Sequence, residues 1–162
     1  MGKLSIPQQV KIASASVTLA ASVGSTKIPI EMGDNEIALL LASKVMVYTD
    51  ADQAADMRLC LYRKTENVPT DAGFLSTVGR WQTDSAVLDI WLCLFDTTRT
   101  SEWAEYSKWI YQVYPYPYVL IRQPSIVHFG TAQNVYAAIT LWYLTERVTD
   151  AELTQLMVKD HD

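Results

Sequence analysis

The chain has 162 residues, with 13 Lys and Arg against 18 Asp and Glu for a formal net charge of -5; 49% of it is hydrophobic and only 19% charged. That length suits one domain able to bury roughly two-thirds of the surface its unfolded form exposes, which excludes any need for a disulfide or metal staple. The acidic balance, and an N-terminal stretch whose only cations up to residue 30 are Lys3, Lys11 and Lys27, exclude a basic arm for packaging nucleic acid.

Residues 1–9 read as an N-terminal extension, 10–158 as a single β-sandwich domain and 159–162 as a tail. Met1-Gly2-Lys3-Leu4-Ser5-Ile6-Pro7 lacks the continuous apolar core of a signal peptide. Ile6 stands where myristoylation wants Ser or Thr. No stretch reaches the ~18 apolar residues of a membrane span, so a soluble protein outside the standard export route is expected. Residues 9–22 are rich in small and β-branched side chains and alternate loosely, which suits a strand. Gly24-Ser25 predicts a turn into a short strand over 26–32, where Pro29 argues for a sheet edge. Gly33-Asp34-Asn35 is a turn cluster, and 36–48 is a long apolar strand.

After the acidic loop 49–56, Met57, Leu59 and Leu61 alternate with Arg58, Cys60 and Tyr62, the pattern of a strand with one buried face. Residues 64–85 form a long polar connection, a length that usually carries function or wraps a neighbour. Residues 87–95 predict the next strand, 101–108 a short helical turn and 109–113 another strand. In Tyr114-Pro115-Tyr116-Pro117-Tyr118 each residue before a proline is biased to extended geometry, and prolines cannot donate to a sheet interior. Strands over 118–122 and 125–129 follow, then the turn 130–134 and a final apolar strand 135–144. Thr149 and Glu152 have the S/T-x-x-E spacing of a capping box, with Val148 and Leu153 at the flanking staple positions, so one short helix closes the chain over 149–158. The fold expected is all-β: an antiparallel sandwich of about eight strands, the jelly-roll count, with a short C-terminal helix.

Chemistry is scarce. The chain has two histidines, His161 at the penultimate position and His128 on the strand 125–129, and no phosphate loop, dinucleotide fingerprint or nucleophile elbow. His128 paired with Asp89 or Glu146 is the only catalytic combination to weigh, and no motif around it supplies a nucleophile. Asp50, Asp52 and Asp56 suit a hard cation as carboxylates but lack the spacing of an EF-hand, so they read as a solvated loop. Cys60 and Cys93 fall in apolar strands and read as buried free thiols. No catalytic residue, metal, cofactor or small-molecule substrate is expected. The remaining lead is aromatic: Trp81, Trp103, Tyr106, Trp109, Tyr111, Tyr114, Tyr116 and Tyr118 gather in loops and strand ends. Exposed Trp and Tyr anchor protein interfaces and also stack on sugars, while core packing accounts equally for Trp109 and Tyr111.

The run of strands ending in Leu141-Trp142-Tyr143-Leu144-Thr145-Glu146-Arg147-Val148-Thr149-Asp150-Ala151-Glu152-Leu153 resembles the small single jelly-roll capsid proteins of membrane-containing icosahedral viruses. The resemblance implies a non-enzymatic subunit that tiles through its sandwich flanks as a homo-oligomer, with a second capsid protein and an underlying lipid membrane as further partners. It places the protein in the virion, soluble in host cytoplasm before assembly, with no direct contact to nucleic acid. The segments expected at subunit contacts are Trp81 with its loop, residues 103–118 including Trp103, Tyr106, Trp109, Tyr114, Tyr116 and Tyr118, and the residues before Val10. The rival reading is a carbohydrate- or receptor-binding sandwich that uses the same aromatics as an exposed platform.

Overall fold

The computed structural model describes residues 9–19, 22–49, 55–69, 74–75, 81, 83–95, 107–130 and 135–159. Within them lie β1 (Lys11–Thr18), β2 (Gly24–Lys27), β3 (Glu36–Thr49), β4 (Ala55–Tyr62), β5 (Val87–Phe95), β6 (Ser107–Leu120), β7 (Ser125–Gly130), β8 (Val135–Arg147) and α1 (Asp150–Lys159). The strands pair antiparallel as β1 with β8, β2 with β7, β3 with β6 and β4 with β5, so the chain is one long hairpin with its tip between β4 and β5. That ribbon rolls on itself: β8 also pairs with β3, and β7 with β4. Two four-stranded sheets result, β1-β8-β3-β6 and β2-β7-β4-β5. This is the antiparallel jelly roll that the strand count predicts.

Two expected boundaries are corrected by the pairing. The second strand covers Gly24–Lys27 rather than 26–32, and Gly24 lies inside it. A Cβ on Gly24 would stand 2.7 Å from the His128 ring, so only glycine lets β2 approach β7 there. The strand ends ahead of Pro29, which has no N–H to donate, and it does lie at a sheet edge. The predicted segments 109–113 and 118–122, with the Tyr-Pro crossing between them, are one strand, β6. Of the predicted helical turn, Ser107 and Lys108 belong to that strand, while 101–106 lie outside the described residues.

The prolines are accommodated by a bulge. Between the pairs Leu40 with Tyr118 and Ala42 with Val113, β3 contributes only Leu41, whereas β6 contributes Tyr114, Pro115, Tyr116 and Pro117. Because β6 is an edge strand, its unpaired donors and the missing proline N–H groups leave no ladder broken on the far side. The same Leu41 is an extra residue against β8 and inverts the pleat of β3. Ala38 and Leu40 point into the sandwich ahead of it, and Ser43, Val45 and Val47 after it.

The main core lies between the sheets and contains Leu40, Val45, Met57, Leu59, Leu61, Trp91, Leu120, Ile126, Ile139, Leu141 and Tyr143. At one end α1 is held by the turn before β3. Asn35, in the left-handed region at φ 55, accepts the Val148 N–H on its carbonyl at 2.8 Å and donates from its side chain to Asp150. The capping box forms as the sequence predicts: the Thr149 N–H donates to Glu152 Oε2 at 2.8 Å, and the Glu152 N–H to Thr149 Oγ1 at 3.3 Å. Those bonds hold the Glu152 carboxyl below its ordinary 4.5, so its support of the cap is present above that pH and fades as pH falls through the lowered value. Thr149→Ala is expected to remove about 1 kcal/mol of helix stability, read as lost amide protection in α1 with the sandwich strands unchanged.

Candidate assembly surface

The outward faces of the two sheets differ. On the β2-β7-β4-β5 sheet, Cys60, Tyr62 and Val127 are covered by Phe74, Leu75 and Trp81 of the connection that follows β4, forming a second buried cluster. The cover is fastened by polar contacts: Arg58 Nη1 donates to the Leu75 carbonyl at 2.7 Å, Ser125 Oγ to the Lys64 carbonyl at 2.8 Å, and the Tyr62 hydroxyl to Asp84 Oδ2 at 3.1 Å. Burial first, then the Asp84 charge, pushes the Tyr62 hydroxyl up to about 12. Burial likewise pushes the Cys60 thiol up to about 12, which keeps it protonated and unreactive.

Among the described residues no such cover lies over the β1-β8-β3-β6 sheet. Register aligns four rows across its strands, facing outward on β1, β8 and β3: Ile12, Trp142, Ala42 and Val113; Ser14, Thr140, Lys44 and Tyr111; Ser16, Ala138, Met46 and Trp109; Thr18, Tyr136, Tyr48 and Ser107. Lys44 is the only charged residue in the four rows. Met46 is 48% exposed at the middle of the face, and Ile12, Tyr48, Tyr111, Val113 and Tyr136 are exposed around it. The rings are organised: Tyr48 stacks on Tyr136 at 6.1 Å, and Tyr111 meets Trp142 edge-on at 5.6 Å across β3. Ser16, Thr18, Met46, Tyr48, Tyr136 and Ala138 line a shallow depression on this face.

The aromatics singled out from the sequence divide by environment. Trp81 is 2% exposed within the second cluster, and Tyr114 is buried between the sheets, so neither presents its ring to a partner of this subunit. Tyr116 is 83% exposed on the β6 bulge, and half-buried Tyr118 packs edge-on against Tyr114 at 4.8 Å. Trp109 occupies the β6 position opposite Met46. Trp103, Tyr106, Asp50, Asp52 and residues 1–8 lie outside the described residues. Sequence reading missed Tyr48, Tyr136, Met46 and Trp142. Their signal was present as strands apolar on both parities over 36–48 and 135–144, which reads as a strand covered on both faces.

Tyr114 has a structural task instead. Its hydroxyl donates to Asp89 Oδ2 at 2.8 Å and lies 2.8 Å from Ser43 Oγ, joining β6 and β3 of one sheet to β5 of the other. Burial pushes this hydroxyl well above its ordinary range and keeps it a donor. Tyr114→Phe leaves Asp89 without that donor and is expected to cost about 1.5–3 kcal/mol in urea unfolding; a change within about 0.5 kcal/mol, the range of a surface substitution, would contradict this. Asp89 is thereby committed to Tyr114 and to the Ile90 N–H, Glu146 is exposed on β8, and His128 contacts Thr26. The catalytic combination weighed from the sequence is not brought together in any hydrogen bond among the described residues. Nor do those residues include a group of three or more His, Cys, Asp or Glu placed to hold a metal.

No protein-family model matches the chain, and no curated protein matches it. Among solved structures it is similar to a chain from Desmodium yellow mottle tymovirus, with 12% identity and a TM-score of 0.43 over 93% of this chain and 94% of that one.

Proposed function

We propose that the protein is a structural subunit that self-assembles through the outward face of its β1-β8-β3-β6 sheet, and more specifically a viral capsid protein located in the virion. The observation that carries the reading is the contrast between the two outer faces. Phe74, Leu75 and Trp81 cover one, while among the described residues nothing covers the other, whose four rows hold a single charge. Aromatic and aliphatic residues gathered on one face mark a contact surface, here crossed by the polar row Ser14, Thr140 and Lys44, and charge depletion is the compositional mark of an interface core. Four strands ~4.8 Å apart and eight residues at ~3.4 Å give a footprint of roughly 500 Å². The exposed β6 bulge with Tyr116 extends it toward the ~800 Å² per partner of a standard interface. The jelly roll serves capsid and lectin domains alike. The acidic balance suits a shell over a lipid surface, or one built with a second capsid protein, better than one wrapped directly on a genome.

Light scattering across a concentration and salt series, with electron microscopy of heavy species, tests the proposal. Discrete oligomers, rings or shells are expected, favoured by sulfate because the contact is apolar. A monomer at every concentration, alone and with lipid vesicles, would refute it. One observation favours a second reading: the stacked Tyr48 and Tyr136 flanked by the Ser16 and Thr18 hydroxyls make a platform of the sort that holds a sugar ring. Saturable glycan binding by a monomer, lost in Tyr136→Ala, would select it.

A further inference from the structure

We propose that His128 is an acid-sensitive latch: its neutral ring seats strand β2 on β7, and uptake of a second proton releases that strand. His128 is a buried polar residue on β7, 9% exposed, and register places Leu59 of β4 on one side of it and Gly24 of β2 on the other. The β2 backbone rests against the ring, since a Cβ built on Gly24 would lie 2.7 Å from Cε1 and 3.1 Å from Nε2. Two residues along β7, Gly130 receives Leu19 as closely, with 2.7 Å between a built Cβ and the leucine's own. Leu19 and Gly24 therefore each sit tightly on β7, Gly24 against the ionisable ring.

The ring's polar contacts suit the neutral form alone. Nε2 lies 3.5 Å from Thr26 Oγ1, at the limit of a hydrogen bond, and Nδ1 is buried with no partner. A neutral imidazole leaves one nitrogen bare at modest cost, whereas an imidazolium brings a charge and a second N–H that needs an acceptor. Among the described residues that register and close approach place beside it, Gly24 and Thr26 of β2, Leu59 of β4 and Leu19, only the Thr26 hydroxyl can accept, and it already faces Nε2. Lys27 pairs with Ser125 on the opposite face of β2, and no charged group offsets the burial that lowers the His128 pKa below 6.5. Strand β2 is the element to yield, being four residues long and paired only to β7 at the sheet edge.

The sign follows from linkage. With β2 released, the ring titrates near its ordinary 6.5; seated, it titrates lower. The seated state is fully favoured above 6.5, and each pH unit below shifts the balance toward release by up to about tenfold, until the seated ring itself titrates. The property belongs to the single subunit and does not depend on the assembly reading.

Amide exchange by NMR on the full chain between pH 7.5 and 5, corrected for intrinsic rates, tests it. Protection of β2 is expected to fall by up to about tenfold per unit below 6.5 while β3 and β8 hold theirs, and His128→Gln is expected to abolish that dependence. Flat β2 protection in the wild type, or an equal fall in His128→Gln, would overturn the latch. Should His128→Gln not fold, the wild-type His128 Cε1 proton decides: a midpoint below 6.5 that the β2 amide shifts follow supports the latch, and a midpoint at or above 6.5, or β2 shifts that ignore it, overturns it.

Discussion

Trp81→Ala, made in a Cys93→Ser background, is expected to destabilise the subunit by about 3–5 kcal/mol and to convert Cys60 from an inert thiol to a reactive one. Trp81 is buried with Phe74, Leu75, Tyr62, Cys60 and Val127 in the cluster that closes the outer face of the β2-β7-β4-β5 sheet. Its backbone N–H reaches the Phe74 carbonyl at 3.5 Å, and Phe74 meets Tyr62 edge-on at 6.1 Å, so the connection is pinned through these rings. Truncation leaves a void the size of an indole beside Cys60, Tyr62 and Val127, near the surface, and water enters. The desolvation that raises the Cys60 thiol is then relieved, and its pKa moves down toward 9.0. Urea unfolding and the rate of modification by an aromatic disulfide reagent read the two effects separately. Unchanged thiol reactivity together with a changed oligomer mass would assign Trp81 to a neighbouring subunit instead.

Met46→Asp is expected to weaken assembly by at least ~30-fold, the effect of losing an interface anchor of about 2 kcal/mol, while the isolated subunit stays within about 1 kcal/mol of its original stability. Met46 sits at the middle of the exposed face, between Ala138 and Trp109 in register, and makes no ring pair whose loss would complicate the comparison. An aspartate there is harmless in water. Under a partner it must be desolvated among aromatic and aliphatic groups, with Lys44 the only cation in the four rows to offset it, and a poorly paired buried charge is strongly unfavourable. Sedimentation velocity against thermal unfolding of the same sample separates the two. Oligomers of undiminished size would show that this sheet face is not the contact and would move attention to the β6 edge around Tyr116.

Most of the strands were legible because their signals are local. Alternation of Met57, Leu59 and Leu61 with Arg58, Cys60 and Tyr62 is a property of neighbouring residues, and each of those three apolar residues does reach the core. The capping box is more local still, two side chains serving backbone groups three residues away. The Tyr-Pro run was read correctly as extended and unfit for a sheet interior. That it lies within one continuous strand required knowing that β6 is an edge and that Leu41 of β3 gives way opposite it.

The sequence by itself determined the class of fold, the terminal helix and the scarcity of catalytic groups, since periodicity, proline chemistry and composition act within a few residues of chain. Only the tertiary structure decided which apolar surfaces are spent. Trp81 and Tyr48 read alike as large aromatic residues near strand ends, yet one is sealed under the connection after β4 and the other lies open on the opposite sheet. The reason is physical: hydrophobic burial has no direction of its own, so the sheet on which Phe74, Leu75 and Trp81 settle is decided by how the hairpin rolls and not by any local pattern.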